Sequence, residues 1–79
     1  MNIVMILNLE VPRSVKKLHA TLGHIGYYRN FIKGYAQITM PMEIFLKKDV
    51  IFCWNNNCKK SLDILKEKMV TVSILVFPN

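Results

Sequence analysis

The sequence has few of the features that mark several common protein classes. Its two cysteines are too few for the disulfide framework of a small secreted domain and favour reduced, intracellular thiols. Three glycines and three prolines are too few for a linker or a low-complexity segment. The N-terminal apolar run, residues 3–7, is far shorter than a membrane span and lacks the flanks of a signal peptide. These absences predict one small domain with no membrane partner.

Acidic residues are also scarce, because five Asp and Glu accompany eleven Lys and Arg and give a net charge of +6. Seven of the basic residues and only two of the acidic ones fall in residues 1–48. Such an uneven basic surface suits nucleic acid, although a solvated face that merely keeps the domain soluble explains the charge about equally well. No carboxylates are paired as metal-assisted phosphoryl transfer requires, so no catalytic residue, cofactor or enzymatic activity is predicted for the chain alone.

The first long helix is predicted from the cap Ser14 onward. Its buried stripe comprises Val15, Leu18, Leu22 and Ile25, which recur at three- and four-residue steps. A straight continuation would bring Arg29 onto this stripe, so the helix is expected to bend or restart near residues 23–26.

The remaining elements complete a mostly α fold. A second helix is predicted from its cap Thr39 to Lys47, with Pro41 in the first turn. Residues 50–54 are expected to be extended and to lay their aromatic side chains on the helices. Asn55 should cap a final helix, and residues 74–77 are predicted to form a strand. We therefore expect a small three-helix bundle with a short extended aromatic segment and a C-terminal strand.

A second stripe of the first helix is predicted to leave backbone exposed. It consists of Lys16, Ala20, Gly23 and Tyr27, so a cation and a phenol flank a centre without bulk. Such a strip could press into a shallow groove with Lys16 and Lys17 reaching phosphates. Small residues equally allow another helix to pack closely, and from this helix alone that alternative is favoured.

A zinc site is the other hypothesis that the sequence suggests. His19 and His24 form one spaced pair, and Cys53 and Cys58 form another. Zinc requires four ligands in a tetrahedron, but histidines five residues apart on one helix point about 140° from each other. Cys58 also falls on the predicted buried stripe of its own helix. Ordinary histidines and a core cysteine are the preferred interpretation, and no metal site is predicted.

One segment carries a family resemblance. Residues 22–35 resemble the LG-x-x-x-YYR-x-FI segment of gypsy-type retrotransposon reverse transcriptases. The later residues match the same family in order, from Pro41-Met42 through Phe52-x-Trp54 to Pro78. The resemblance implies the thumb and connection segment of an RNA-directed DNA polymerase, which leads into a ribonuclease H-like domain. It implies no catalytic carboxylates, because those belong to the palm.

The resemblance also implies a domain order and partners. Residues 1–10 would be the remnant of a palm–thumb junction, 11–72 a thumb-like helical domain, and 73–79 the first strand of a ribonuclease H-like domain. The partners would be an RNA/DNA template–primer duplex, bound weakly by this chain alone, and the palm and ribonuclease H-like domains of the parent polyprotein. The expected nucleic-acid-binding residues are Lys16, Lys17, Gly23, His24, Tyr27 and Arg29.

Departures from the family pattern qualify this expectation. Residues 19–21 replace an Arg-Ser-Phe type triplet, and residues 2–9 carry apolar groups in place of typical charges. These changes suggest a degenerate genomic remnant of a polymerase. The alternative function is a small helical module without nucleic-acid binding, whose apolar ends at 3–7 and 74–77 bind protein.

Overall fold

The computed structural model describes residues 2–76, and this part of the chain is mostly helical, as predicted. It contains four α-helices, one more than the three predicted: α1 (Ile3–Leu7), α2 (Val15–Ile25), α3 (Tyr35–Glu43) and α4 (Asn56–Leu75). A first 3₁₀ helix, Gly26–Phe31, follows α2, and a second, Ile44–Leu46, follows α3. Residues 2–76 contain no β-strand.

Helix α2 begins and ends where its sequence predicts. The hydroxyl of Ser14 accepts a hydrogen bond from the backbone N–H of Lys17 at 3.2 Å, which satisfies one of the unpaired N–H groups of the first turn. The α-helix stops at Ile25 and the chain tightens into the first 3₁₀ helix. This change of pitch confirms the predicted restart and leaves Arg29 exposed instead of buried.

Helix α3 differs from the prediction in both its bounds and its cap. It begins after Gly34, whose φ of 72° is in the left-handed region that glycine adopts without steric cost. Thr39 lies inside the helix and is fully buried, and its hydroxyl donates to the Glu43 carboxylate at 2.8 Å. Pro41 is also inside the helix, in its last turn and not its first. The missing N–H of this proline costs one helical hydrogen bond, and the α-helix ends two residues later.

Helix α4 confirms the predicted cap. The side-chain oxygen of Asn55 accepts from the backbone N–H of Cys58 at 3.0 Å. The expected buried stripe is also present, since its four side chains are 0–3% exposed: Cys58, Leu62, Leu65 and Met69.

The predicted C-terminal strand is wrong for the residues that the structure describes. Ile74 and Leu75 are the last residues of α4, and Val76 is its C-cap, with its N–H donating to the carbonyl of Val72 at 2.7 Å. Phe77 lies outside the described residues. A short apolar run is ambiguous between strand and helix. No strand partner is present in residues 2–76, so the helix satisfies this backbone internally.

One core joins all four α-helices. Ile6 of α1, Leu18 of α2, Met42 of α3 and Leu65 of α4 are each 0% exposed and belong to the same cluster. Residues 50–55 have no regular secondary structure, and their half-buried aromatic side chains pack against this cluster. The core holds α2 in place with one face buried and the opposite face in solvent.

Candidate nucleic-acid interface

The solvent face of α2 lies directly opposite its buried face. At about 100° per residue, Lys16, Ala20 and Gly23 fall within an arc of about 60°. The buried residues Leu18 and Ile25 point about 180° away from it by the same geometry. All three residues of the solvent face are exposed. We call this set, Lys16, Ala20 and Gly23, the α2 outer face.

Gly23 makes the α2 outer face flat. Apart from the adjacent residues and the backbone of α2 itself, no atom lies within 4 Å of a Cβ atom built on this glycine, so the space above it is open. No neighbouring helix of the described chain uses the small residue for close packing at this point. The absence of a side chain therefore allows a ligand to reach the backbone of α2 directly.

Tyr27 belongs to a different element from the rest of the predicted stripe. It lies in the first 3₁₀ helix and is 66% exposed, while its neighbour Tyr28 is 1% exposed. The two rings meet edge to face, with centroids 5.5 Å apart and planes at 83°. The Tyr28 hydroxyl lies 3.5 Å from the hydroxyl of Ser73 in α4. Buried Tyr28 thus anchors the 3₁₀ helix that presents Tyr27 at the end of α2.

Lys17 and His24 face a cleft beside the α2 outer face. Met5 and residues 8–12 line one side of this open cleft and α2 lines the other, and its volume is about 410 Å³. Glu10 lines the same cleft, so one carboxylate accompanies the two basic side chains there. The sequence predicted these basic residues as part of one binding surface, whereas the structure turns them toward residues 5–12. Ala20 lines the cleft as well and forms its border with the α2 outer face.

Arg29 lies in a third place. It lines a separate open pocket of about 490 Å³ with Tyr35 and Glu43 of α3. Burial and the Glu43 carboxylate raise the pKa of the Tyr35 phenol, and the Arg29 guanidinium opposes that rise. Arg29 therefore lies beside Tyr35 and Glu43 and not on the α2 outer face. The structure brings Lys16 and Gly23 onto one face of α2, and Tyr27 lies in the 3₁₀ helix that follows.

The zinc hypothesis has no support in the geometry. The Cys58 thiol is buried and donates to the carbonyl of Pro41 at 3.4 Å, while Cys53 is exposed. His19 and His24 are both exposed. Within residues 2–76, no group of three or more His, Cys, Asp or Glu side chains is placed to hold a metal ion.

The sequence analysis did not predict the cleft or the electrostatic influence of Glu43 on Tyr35. The cleft depends on contacts between segments that are separated in sequence. Tyr35 and Glu43 were not placed on one helix because α3 was predicted to begin at Thr39. The only local signal was the apolar character of residues 3–9, which showed that this segment needs a packing partner.

The helices of residues 2–76 are each too short or too polar to cross a membrane.

No protein-family model matches the chain, and no solved structure gives a significant match. Over 74 residues, or 94% of its length, the chain is 32% identical to the Transposon Tf2-3 polyprotein of Schizosaccharomyces pombe. The Transposon Tf2-4 polyprotein of the same yeast is similar to the same degree. The chain spans only 6% of the length of these relatives. The predicted resemblance to a retrotransposon protein is therefore confirmed as similarity to a short part of a transposon polyprotein.

Proposed function

We propose that this chain is a non-catalytic segment of a retrotransposon reverse transcriptase and that its α2 outer face contacts a nucleic-acid duplex. Residues 11–72 would be thumb-like, and the palm and ribonuclease H-like domains would be the neighbouring parts of the polyprotein. The similarity to transposon polyproteins supports this origin. The observation that carries the duplex contact is the open space above Gly23 on an exposed helix face.

The charges near this face fit a polyanion. Lys16 lies on the α2 outer face, and Lys17 is on the adjacent side of the same helix, one residue on. Lysine contacts to phosphates position a protein without reading bases. Binding should therefore be weak, indifferent to sequence and strongly dependent on salt.

The first test places a side chain where the backbone is bare. Gly23→Leu should weaken duplex binding about tenfold, equivalent to about 1.4 kcal/mol, because the added side chain holds the helix off the groove. The change should also favour the helix by about 0.5–1 kcal/mol, so lost binding cannot be attributed to unfolding. Affinity for an RNA/DNA hybrid of mixed sequence is measured for both proteins, and circular dichroism checks their helix content.

A matched control adds the same side chain elsewhere. Ala36→Leu places a leucine on an exposed small residue of α3, away from the α2 outer face. This variant should bind the hybrid as the parent does. Equal affinity of the parent and Gly23→Leu would refute the assignment of the α2 outer face.

The second test concerns charge. Lys16→Gln should reduce the slope of log affinity against log salt by about 0.9 on a B-form DNA duplex, because one phosphate contact is lost. Lys60→Gln removes the same charge from an exposed position in α4 and should leave the slope unchanged. If both variants change the slope equally, net charge is responsible and the α2 outer face has no special role.

A second candidate function, a protein-interaction module, is favoured by a different observation. Large apolar side chains are exposed in α1 and at the end of α4, where Leu75 is 74% exposed. Salt distinguishes the two functions, because raising it abolishes phosphate contacts and leaves apolar contacts intact.

A further inference from the structure

Another open pocket lies where the end of the first 3₁₀ helix meets α4. Its volume is about 310 Å³, at the lower end of the range of roughly 300–1,000 Å³ that small-ligand pockets occupy. Ile32 on one side and Val72 on the other are 5% and 8% exposed and belong to the core, so the packing of the helices fixes both walls. We call it the α4 pocket, and its other lining residues are Phe31, Lys33, Glu67, Lys68 and Thr71.

The fold brings two cations and an aromatic ring together in the α4 pocket. Ile32 has an extended backbone, with φ −114° and ψ 112°, and points into the core. Its neighbours Phe31 and Lys33 are both exposed, and Phe31 is 46% exposed. Lys68, an exposed residue of α4, comes from a distant part of the sequence. The cluster is therefore a product of tertiary packing and not of a local sequence motif.

The chemistry of the α4 pocket fits single-stranded nucleic acid. Lysines beside an exposed aromatic ring allow a base to stack on the ring while the cations contact the adjacent phosphates. The Glu67 carboxylate repels phosphate, but it can accept a hydrogen bond from an N–H group on the edge of a base. Both the face and the Watson–Crick edge of a base are accessible in a single strand and not in a duplex. Phe31 and Glu67 therefore favour an unpaired base over paired ones.

We propose that the α4 pocket binds single-stranded nucleic acid, with one base on the Phe31 ring and its edge toward Glu67. Lys33 and Lys68 contact the phosphates on either side of this base. The proposal is independent of the duplex contact described above, because the α4 pocket shares no residue with the α2 outer face.

The affinity of the 79-residue chain for a labelled single-stranded oligonucleotide of mixed sequence tests the proposal, measured by fluorescence anisotropy. Phe31→Leu should weaken binding about tenfold, equivalent to about 1.4 kcal/mol, because leucine keeps the apolar bulk and loses the face on which a base stacks. Circular dichroism of the variant should match that of the parent. Binding by Phe31→Leu equal to that of the parent would overturn the proposal, since no base would then stack in the pocket.

A pair of charge variants in one helix supplies the second measurement. Lys68→Gln should reduce the slope of log affinity against log salt by about 0.7, the value for one phosphate contact on a single strand. Lys60→Gln removes the same charge from an exposed position of α4 outside the α4 pocket and should leave the slope unchanged. Equal changes in the two variants would overturn the proposal, because net charge would then account for binding.

Two controls identify the ligand and the surface. A poly-glutamate peptide of equal charge should compete poorly with the oligonucleotide, and competition as strong as that of unlabelled oligonucleotide would overturn the assignment of a base to the pocket. Gly23→Leu, which should weaken duplex binding, should leave single-strand affinity unchanged. Equal losses of duplex and single-strand binding in Gly23→Leu would place both ligands on the α2 outer face and overturn the α4 pocket.

Discussion

Truncation of Leu65 tests the arrangement of α4 directly. This side chain is 0% exposed and belongs to the cluster that joins the four α-helices. Leu65→Ala removes buried methyl groups and leaves a cavity, which typically costs about 2–5 kcal/mol. A domain of this length is stable by only about 4–12 kcal/mol, so the loss is a large part of the total. Even the lower figure should be obvious in an unfolding experiment.

The same substitution at Leu75 is the internal control. Leu75 ends the same helix but is 74% exposed, so Leu75→Ala should change the free energy of unfolding by no more than about 0.5 kcal/mol. Both changes remove the same atoms and substitute a residue with high helix propensity. The difference between them therefore reports burial alone.

Urea denaturation monitored by circular dichroism measures both effects. With a denaturant slope of about 1 kcal/mol per molar for a chain of this size, Leu65→Ala should lower the midpoint by about 2 M or more. All proteins are compared at one concentration, because self-association would add to apparent stability. Similar losses for the two variants, or a larger loss at Leu75, would refute the placement of α4 with Leu65 inward and Leu75 outward.

Individual contacts support three further predictions. Asn55→Ala should destabilise the protein by about 1 kcal/mol in the same urea assay, because the N–H of Cys58 loses its cap, and an unchanged midpoint would contradict the capping role. Burial and the Glu43 carboxylate raise the pKa of the Tyr35 phenol above 10.0. The contribution of the neutral phenol to the free energy of unfolding is therefore present below pH 10 and declines as the pH rises through the folded-state pKa. Ultraviolet absorbance of the phenolate should show this titration. Tyr35→Phe should abolish the loss of stability that ionisation of Tyr35 causes at alkaline pH. Protein purified without chelator should contain no stoichiometric zinc, since the buried Cys58 thiol already donates to a carbonyl, and one zinc per chain by metal analysis would contradict this.

Local sequence signals predicted the features that depend on neighbours along the chain. The caps Ser14 and Asn55 and the buried stripe of α4 are all in place, because a short side chain binds the next turn and period 3.6 puts apolar residues on one face. The restart after Ile25 could also be predicted, since a continuous helix would have buried Arg29. Each of these signals is contained within a few turns of chain.

Features with ambiguous local signals were predicted wrongly. Pro41 suggested a helix start, but α3 tolerates it near the end, where only one hydrogen bond is lost. The apolar residues 74–77 suggested a strand, but without a pairing partner in the described chain Ile74 and Leu75 extend α4. In both places the surrounding structure, and not propensity, determined the conformation.

By itself the sequence determined the helical class, the buried stripe of α4 and the similarity to transposon polyproteins. Of the stripe predicted for α2, Leu18 and Ile25 are buried and Leu22 is half-buried, but Val15, in the first turn, is exposed.

The tertiary structure alone decided what the predicted contact residues face. It places Lys17 and His24 in the cleft beside residues 5–12, and it places Arg29 beside Tyr35 and Glu43. The physical reason is that helical periodicity sets the direction of each side chain about its own axis, whereas the packing of residues 5–12 and of α3 determines what each side chain faces.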